Sequence, residues 1–341
     1  MTPLELPKCF ERARLAVTPV LAAASAGLEP ELRRVVEYHW GWVDKAGEPT
    51  GERAGKALRP TLALLSAEAV GADVEVALAG AAAVELTHDF TLLHDDVMDD
   101  DRERRGRSAA WTVFGMGEAI CAGDAMSLLA QQVLLGDQSA YRCEALSSLL
   151  DATQTVLAGQ ALDLHFEGRV DISVEDYLLM SGKKTGALLG CSASIGAILA
   201  GASANHVASL REFGEALGLA FQAVDDWLGI WGDPERVGKP AASDLRQRKS
   251  SLPIVMAMNM ASDEPAGRAL REWMKSRDTV DDEAIRRGVD WLDSLGMEQE
   301  TIDLARREFN RAIESLEKIP LEENAKDDLV RLASFVVERE F

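Results

Sequence analysis

Cysteine is scarce in this chain of 341 residues, which contains only four, at positions 9, 121, 143 and 191. No two of them form a CxxC pair, the spacing typical of thiolate metal sites and redox motifs. The sequence therefore gives no support for a disulfide framework or a thiolate metal site. Reduced thiols are the simplest interpretation, and we expect a cytoplasmic location.

Positive charge is also in short supply. Lysine and arginine total 36 against 57 aspartates and glutamates, which gives a formal net charge of −21. Such a chain is a poor candidate for non-specific binding to nucleic acid or to an anionic membrane surface. An anionic substrate would need a local positive pocket, or metal ions, to overcome the overall field.

Long apolar runs are missing as well. We find none that reaches the length of a membrane span, and we expect no integral membrane segment. The apolar stretch Leu15 to Gly27 loosely resembles the apolar part of a signal peptide. However, Glu5 and Glu11 precede it and Pro19 interrupts it, so the first helix of the fold is the favoured interpretation.

Alanine, leucine and glutamate are abundant, and no clear stretch of alternating β-branched residues occurs, which predicts an all-α fold. Glycine and proline separate the predicted helices, and no low-complexity linker divides the chain. We therefore expect one all-helical domain over residues 1–341. The predicted helices cover residues 8–24, 30–46, 58–71, 74–98, 115–135, 139–168, 173–200, 204–231, 252–260, 264–275, 281–295 and 298–340.

The densest chemical signal is an acidic run that begins at Asp95. Asp95 and Asp99 are four residues apart and project from one face of a helix, with Asp96 between them. Neighbouring carboxylates repel each other unless a cation lies between them, and Mg²⁺ suits such a site because it accepts further oxygens from water and phosphate. The apolar stretch Val84 to Leu93 leads directly into the run. We therefore favour a metal–phosphate site over a solvated charged face.

A second apolar helix also ends in two aspartates, Asp225 and Asp226. A buried carboxylate without a partner is costly, so aspartates in such apolar surroundings indicate a function. The alternative is a fraying helix end that faces solvent. We expect the two acidic helix ends to face each other across one cavity.

Basic side chains accompany the first acidic helix. Lys56 and Arg59 are three residues apart at a predicted helix entry, where free backbone N–H groups help to bind an anion. His88 lies on the same helical stripe as the acidic residues, and Arg104 and Arg105 follow the acidic run. Taken one at a time, a surface Lys/Arg pair or a packed histidine would explain each of them.

More cations accompany the second half of the chain. Lys184 and Thr185 lie between two glycines, at a bend that suits phosphate oxygens, although a capping turn would look similar. Lys239 and Lys249 follow the second acidic pair and add positive charge beside it.

Together these motifs resemble the trans-isoprenyl diphosphate synthases (polyprenyl synthetase family). Any one of them would be weak evidence, but all six occur in order between Gly55 and Pro253. The motifs are Gly-Lys-x-x-Arg-Pro, Asp-Asp-x-x-Asp followed by Arg-Arg-Gly, Gly-Gln-x-x-Asp-Leu, Lys-Thr-Gly, Phe-Gln-x-x-Asp-Asp and Gly-Lys-Pro.

The resemblance implies an all-α isoprenoid synthase fold, a helical bundle around a central active-site cavity. It implies an enzyme, usually a homodimer, that condenses isopentenyl diphosphate head to tail with an allylic diphosphate. It implies that Asp95, Asp99 and Asp225 bind Mg²⁺, three ions per active site, and that the catalytic set also includes Asp96, Asp226, Arg104 and Lys184. The residues implied to hold the allylic diphosphate are Arg104, Lys184, Thr185, Gln222, Lys239 and Lys249. The residues implied to hold isopentenyl diphosphate are Lys56, Arg59, His88 and Arg105.

One position departs from the family pattern. The second acidic motif usually has a third polar or acidic residue four after its first aspartate, and here that residue is Gly229. We expect Asp225 and Asp226 to keep the metal, with water or Asp233 completing the coordination shell. The change puts in doubt how tightly the third ion is held.

Product length depends on the depth of the cavity below Asp95. Thr91 lies about 6 Å below it on the same face, at about 1.5 Å per residue, and Phe90 lies one residue deeper. Phe90 lies five residues before the acidic motif, and the motif Asp95–Asp99 contains no insertion. In the family, this combination resembles that of short-chain enzymes, which make C15 to C20 products. We expect C20, geranylgeranyl diphosphate, with C15 as the alternative. If Phe90 merely packs against a neighbouring helix, the floor lies elsewhere.

Two other functions fit parts of the pattern. A terpene synthase uses the same fold to cyclise a finished prenyl diphosphate, and it needs no isopentenyl diphosphate pocket. The retained Lys56, Arg59, His88 and Arg105 speak against it. A non-catalytic regulatory subunit of a prenyl synthase should have lost acidic ligands, but the first acidic motif is intact.

Overall fold

The structure, a computed structural model, describes residues 7–51, 55, 57–233, 241–276 and 280–338. In the first half of the chain, the elements are α1 (Lys8–Ser25), α2 (Pro30–His39), α3 (Leu58–Ala69), a 3₁₀ turn (Val74–Ala77), α4 (Leu78–Met98), β1 (Glu103–Arg104), β2 (Arg107–Ser108), α5 (Ala110–Phe114), α6 (Met116–Leu135) and α7 (Arg142–Phe166). In the second half they are α8 (Val174–Ser181), a π-helical turn (Gly182–Gly186), α9 (Ala187–Leu199), α10 (Ala204–Trp231), α11 (Ser243–Gln247), α12 (Leu252–Asn259), a 3₁₀ turn (Met260–Ser262), α13 (Pro265–Lys275), α14 (Asp282–Ser294), α15 (Met297–Glu317) and α16 (Glu323–Glu338).

Most predicted helices match these bounds within a few residues, and three differences have local causes. The predicted helix 30–46 ends at His39, because Gly41 has a φ of +78° and a loop with a Val43–Pro49 bridge follows. The predicted helix 298–340 is two helices, broken around Pro320, which cannot continue a helix. The structure also contains a short antiparallel hairpin, β1–β2, that the sequence analysis did not predict.

The chain groups into two compact units. Unit 1 comprises Met1–Thr153, Leu188–Arg211 and Leu316–Leu332, and unit 2 comprises Gln154–Ala187, Glu212–Ser315 and Ala333–Phe341. The single domain over residues 1–341 stays a prediction.

The core of unit 1 is built around α4, which packs against α3 and α6. Successive small side chains from Ala81 to Ala83 are fully buried, so α4 approaches its neighbours closely. Larger buried side chains, Leu62, Leu86 and Met126, fill the space between these helices. This packing fixes the direction in which the carboxyl end of α4 leaves the core.

The stretch Val74–Met98, which includes α4, is long and apolar enough by composition to cross a membrane. Its most apolar window has a mean hydropathy of 1.3, and 67% of that window is buried inside the protein. The sequence analysis judged no run to be that long, so this helix is more apolar than expected. Its burial fits a core helix of a globular protein.

The core of unit 2 includes α12, which packs against α8, α13 and α14. Two of these helices begin with proline in their first turn, Pro253 and Pro265, where no backbone N–H is needed. Helix α8 begins with a capping box. The hydroxyl of Ser173 accepts the backbone N–H of Asp176, and the Asp176 carboxylate accepts the backbone N–H of Ser173. The box fixes the first turn of α8, which carries Tyr177.

Candidate active site

The carboxyl end of α4 carries the first acidic pair, in unit 1. The helix ends at Met98, but the backbone N–H of Asp99 still donates to the carbonyl of Asp95 at 2.8 Å, so the helical spacing persists to Asp99. Asp95 is half-buried and Asp99 is exposed. Both carboxylates therefore lie on consecutive turns at the solvent-accessible end of the helix, with the four-residue spacing that the sequence predicted.

Asp96 has different surroundings. Its side chain is 1% exposed and accepts hydrogen bonds from Nε of Arg104, at 2.7 Å, and from Nη2 of the same guanidinium. Burial raises the pKa of Asp96, and the hydrogen bond and charge of Arg104 oppose that rise. Asp96 therefore anchors Arg104, one of the residues predicted to hold the allylic diphosphate, beside the turn of the hairpin.

The hairpin β1–β2 turns through two residues, Arg105 and Gly106, with φ of +55° and +72°. Two positive φ values are typical of the type I′ turn that matches the twist of a hairpin. Glycine adopts this conformation freely, whereas a bulky residue such as arginine pays for it in strain. The turn holds the backbone of Arg105 in one conformation.

The other predicted isopentenyl diphosphate residues gather around Asp89, a buried carboxylate one residue after His88. Nη2 of Arg105 lies 3.3 Å from Oδ1 of Asp89. The same guanidinium lies against Gly55, where an added Cβ would be 3.3 Å from Nη2. Lys56 lies outside the described residues.

The electrostatics of this group show that its members share one environment. Burial lowers the pKa of Arg59 to about 10, with the opposing charges of Glu85 and Asp89 pulling it back. Burial and the charge of Arg59 lower the pKa of His88 well below its usual value, which keeps the imidazole neutral. Nε of Arg59 is buried without a hydrogen-bond partner among the described residues. Unit 1 thus contains a compact cationic group with an unused donor, which is what an anionic ligand requires.

In unit 2, the π-helical turn positions Lys184 and Thr185. Nζ of Lys184 donates to Oδ2 of Asp163 at 2.5 Å. An added Cβ at Gly159 would lie 2.3 Å from the backbone nitrogen of Lys184, so only glycine lets α7 approach the turn this closely. The amide of Gln160 is 6% exposed, and neither of its polar atoms has a partner among the described residues. π-helical turns of this kind are frequent at functional sites.

Asp226 is the centre of a hydrogen-bond network in unit 2. Oδ1 accepts from Nε2 of Gln222 at 3.0 Å, and Oε1 of that amide accepts from the hydroxyl of Thr185 at 2.9 Å. Oδ2 accepts from the hydroxyl of Tyr177 and from the backbone N–H of Leu252 at 2.9 Å. Burial and the charge of Asp244 raise the pKa of Asp226 to about 7. The network fixes Thr185 and Gln222 relative to the end of α10.

The two aspartates of the second pair are not equivalent. Asp226 is 2% exposed, whereas Asp225 is exposed. Removal from water lowers the pKa of Lys249, but the charges of Asp226 and Asp244 outweigh this effect and raise it. Asp225 is therefore the accessible carboxylate and Lys249 the charged neighbour. Lys239 lies outside the described residues.

The space beside Gly229 is filled by another carboxylate. An added Cβ at Gly229 would lie 2.3 Å from Oδ2 of Asp244, closer than real Cβ atoms approach their neighbours. Asp244 belongs to α11 and is 9% exposed. The sequence analysis proposed water or Asp233 as the replacement for the missing third side chain, and it did not consider Asp244.

Phe90 and Thr91 lie in the last third of α4. Phe90 is 4% exposed, and its ring packs edge-on against that of His94, with centroids 5.8 Å apart. Thr91 is half-buried, and its hydroxyl donates to the carbonyl of His88 at 2.7 Å. A small side chain therefore lies one turn before Asp95.

The donors present suit a hard cation. Asp95 with Asp99, and Asp225, offer accessible carboxylate oxygens at helix ends, and Mg²⁺ prefers oxygen ligands. Among the described residues, no group of three or more His, Cys, Asp or Glu side chains is placed to hold a metal.

Comparison with known proteins identifies the family. The sequence profile of the polyprenyl synthetase family matches residues 41–292. The chain belongs to the polyprenyl synthetase family. This confirms the predicted resemblance to the trans-isoprenyl diphosphate synthases, and the protein is a prenyltransferase.

Individual relatives agree over most of the chain. It is 40% identical to a (2E,6E)-farnesyl diphosphate synthase of Mycobacterium tuberculosis, over 95% of this chain and 90% of that protein. It is 43% identical to a geranylgeranyl diphosphate synthase of the same species, over 76% of this chain and 75% of that protein. The crystal structure of a polyprenyl synthetase from Streptomyces coelicolor A3(2) superposes with a TM-score of 0.93 at 44% identity. The superposition covers 98% of this chain and 100% of that one.

These matches confirm the predicted all-α isoprenoid synthase fold. They also place the protein among short-chain prenyl synthases, which elongate prenyl chains and are in general Mg²⁺-dependent. The roles of individual residues remain predictions.

Three residues that fix candidate side chains, Asp89 in unit 1 and Asp244 and Tyr177 in unit 2, were not predicted from the sequence. Asp89 follows His88 in an otherwise apolar helix, a signal that the acidic-pair argument would have caught if applied to a single aspartate. Asp244 stands next to the Gly-Lys-Pro motif but has no distinctive spacing. Tyr177 has no sequence signal, because its role depends on the hydroxyl reaching Asp226.

Proposed function

We propose that this prenyltransferase joins isopentenyl diphosphate head to tail with an allylic diphosphate, giving a linear all-trans C20 product, geranylgeranyl diphosphate. The observation that carries the proposal is the pair of cations Arg59 and Arg105, with the neutral His88, around Asp89 in unit 1. An elongating enzyme needs a second anion-binding group of this kind, whereas a cyclase, which uses one diphosphate, does not.

We assign Asp95, Asp99 and Asp225 as ligands of three Mg²⁺ ions. When bound, these ions neutralise the charge that develops on the departing diphosphate. The chain's own cations assist: Arg104, fixed by Asp96, and Lys184, fixed by Asp163, present positive charge in defined positions. Preorganised charge of this sort lowers the barrier because no groups must rearrange during ionisation.

The remaining polar residues orient the substrates. Thr185 and Gln222 are held by Asp226, and together with Lys249 they are proposed to bind the oxygens of the allylic diphosphate. Neutral His88 donates or accepts a hydrogen bond without adding charge. After the allylic C–O bond ionises, the double bond of isopentenyl diphosphate attacks the cation, and the proton that is lost goes to the released diphosphate.

We base the proposed C20 product length on the two residues Phe90 and Thr91, which precede Asp95 on α4. The small Thr91 leaves room for a growing chain, and Phe90 packs against His94 inside unit 1. Relatives named for C15 and for C20 products both match this chain, so C15 is the outcome that would correct the proposal. We expect Thr91→Phe to shorten the product by at least one C5 unit.

We also propose a homodimer in the cytoplasm. Helix α6 exposes Met116, Ile120, Leu128 and Leu135, and α7 exposes Leu150, Leu157 and Leu164 at intervals of seven residues. Exposed apolar side chains at heptad spacing are typical of a helix that packs against another helix. All four cysteines are unpaired, which suits a reducing compartment.

The test is a condensation assay with purified protein, Mg²⁺, labelled isopentenyl diphosphate and, separately, C5, C10 and C15 allylic diphosphates. Products are dephosphorylated and sized by chromatography. A discrete linear C20 alcohol is expected. If no label is incorporated but an allylic diphosphate gives a hydrocarbon or cyclic alcohol, the protein is a cyclase. If it has no turnover alone and only stimulates a partner synthase, it is a regulatory subunit.

A further inference from the structure

Asp89 is a carboxylate buried within unit 1, with 2% of its side chain exposed. Two donors bond to it, Nε1 of Trp40 at 2.8 Å and Nη2 of Arg105 at 3.3 Å. Nε2 of His39 lies 3.5 Å away and has no hydrogen-bond partner among the described residues. Burial pushes its pKa upward, but the His39 contact and the charge of Arg105 outweigh burial and hold the pKa well below its usual value. Asp89 is therefore ionised in the folded protein.

A buried carboxylate of this kind costs free energy even when it is paired. An apolar side chain at the same position of α4 would pack into the core without that cost. The charge of Asp89 has one consequence in the structure: it pairs with Arg105, the arginine at the tip of the hairpin.

Arg105 is fixed at two points. Its backbone is held in the left-handed region by the two-residue turn, and its guanidinium lies between Gly55 and Asp89. A guanidinium has five N–H donors in a rigid fork, and the contact with Asp89 uses only Nη2. Among the described residues, this contact sets the orientation of the group without using all five donors.

We propose that Asp89 is a positioning residue that holds Arg105 in the orientation that binds the diphosphate of isopentenyl diphosphate. This inference rests on the proposed function of Arg105. Asp89 touches no substrate, and its effect is confined to the substrate that Arg105 binds. The allylic diphosphate, which other residues hold, is unaffected.

The experiment compares Asp89→Asn with Trp40→Phe. Asn has the same size as Asp but replaces one carboxylate oxygen with an NH₂ group, and it removes the charge that orients Arg105. The KM for isopentenyl diphosphate should rise about tenfold or more, the scale of losing a hydrogen bond to a charged group, whereas kcat and the KM for the allylic substrate stay within about twofold. Isothermal titration with isopentenyl diphosphate alone should show the same loss of affinity.

Trp40→Phe is the matched control, because it removes a donor to the same carboxylate without removing the contact with Arg105. It should lower the unfolding temperature while the KM for isopentenyl diphosphate stays within about twofold. Asp89→Glu, which keeps the charge, should retain more affinity than Asp89→Asn, and it serves as the test if the Asn variant does not fold.

A double-variant cycle with Arg105→Gln gives the sharpest result. If Asp89 acts through Arg105, adding Asp89→Asn to Arg105→Gln produces little further loss, because the ion pair is already gone. Fully additive losses, or equal rises in both KM values, would overturn the proposal. Failure of the wild-type protein to incorporate isopentenyl diphosphate would overturn the proposed function instead.

Discussion

The carboxylate of Asp244 occupies the space that a side chain at position 229 would need. An added Cβ on Gly229 would lie 2.3 Å from Oδ2 and 2.6 Å from Oδ1 of Asp244. The glycine that departs from the family's acidic motif therefore has a structural reason. It makes room for a carboxylate supplied by another helix of unit 2.

This relationship predicts the effect of filling position 229. Gly229→Ala should lower the free energy of unfolding by about 1–3 kcal/mol, the usual cost of overpacking, although alanine favours a helix more than glycine does. Chemical denaturation measures the change. Gly117→Ala is the control, because a Cβ there meets nothing within 4 Å. Equal stability of Gly229→Ala and the wild type would contradict the packing.

Tyr177 is predicted to stabilise the protein through Asp226. Tyr177→Phe removes a donor from a carboxylate that is 2% exposed, and it should lower the free energy of unfolding by about 1–3 kcal/mol. Tyr141→Phe is the matched control, because Tyr141 is 45% exposed. Thermal and chemical unfolding of the two variants should differ clearly. Similar values would remove Tyr177 from the network.

The pH dependence of stability should depend on Glu85. Burial, with the charge of Asp89, raises its pKa above the ordinary value of 4.5 in the folded protein. A carboxyl group with a raised pKa contributes stability below its unfolded pKa and loses it as pH rises through the folded pKa. The wild type should therefore lose stability relative to Glu85→Gln as pH rises from 5 toward neutral, by at most about 1.4 kcal/mol per pH unit. Glu167→Gln, at an exposed position, should show no such trend.

The exposed apolar stripe on α6 predicts self-association. Leu128 is 59% exposed, and Leu128→Glu would place a charge in the proposed interface of a second copy. Sedimentation should show a dimer for the wild type and a shift toward monomer for this variant. Leu15→Glu is the control, because Leu15 is similarly exposed, at 64%, but belongs to α1 and not to the stripe on α6. A wild-type monomer, or equal behaviour of both variants, would contradict the homodimer.

The helices that the sequence predicted best are those with strong local signals. α4 and α10 end where expected, at Met98 and Trp231. α4 is a long apolar stretch that ends in the acidic run, and α10 ends immediately before Gly232. The hairpin at Arg104–Arg107 was missed since its strands have only two residues each, too few for an alternating pattern. The same shortness hid α5 and α11.

The candidate site was predictable in its residue types more than in its internal contacts. Motif spacing placed Asp95 and Asp99 on one face, whereas the difference in burial between Asp225 and Asp226 was not predicted. The sequence did not predict which carboxylate pairs with which cation. Arg104 pairs with Asp96 and Lys184 with Asp163, and both contacts depend on tertiary packing.

The central claim is that the first aspartate pair drives condensation of two prenyl diphosphates. Its most direct test is Mg²⁺-dependent incorporation of labelled isopentenyl diphosphate by the wild type, Asp95→Asn and Asp100→Asn. Asp100 is the control in the same acidic run, because its side chain is 73% exposed and its positive φ of 53° is one that asparagine adopts readily. Asp95→Asn should reduce kcat by at least about a hundredfold, the scale of losing a group that stabilises transition-state charge, while Asp100→Asn keeps wild-type turnover. Full activity of Asp95→Asn, or no incorporation by the wild type, would contradict the account.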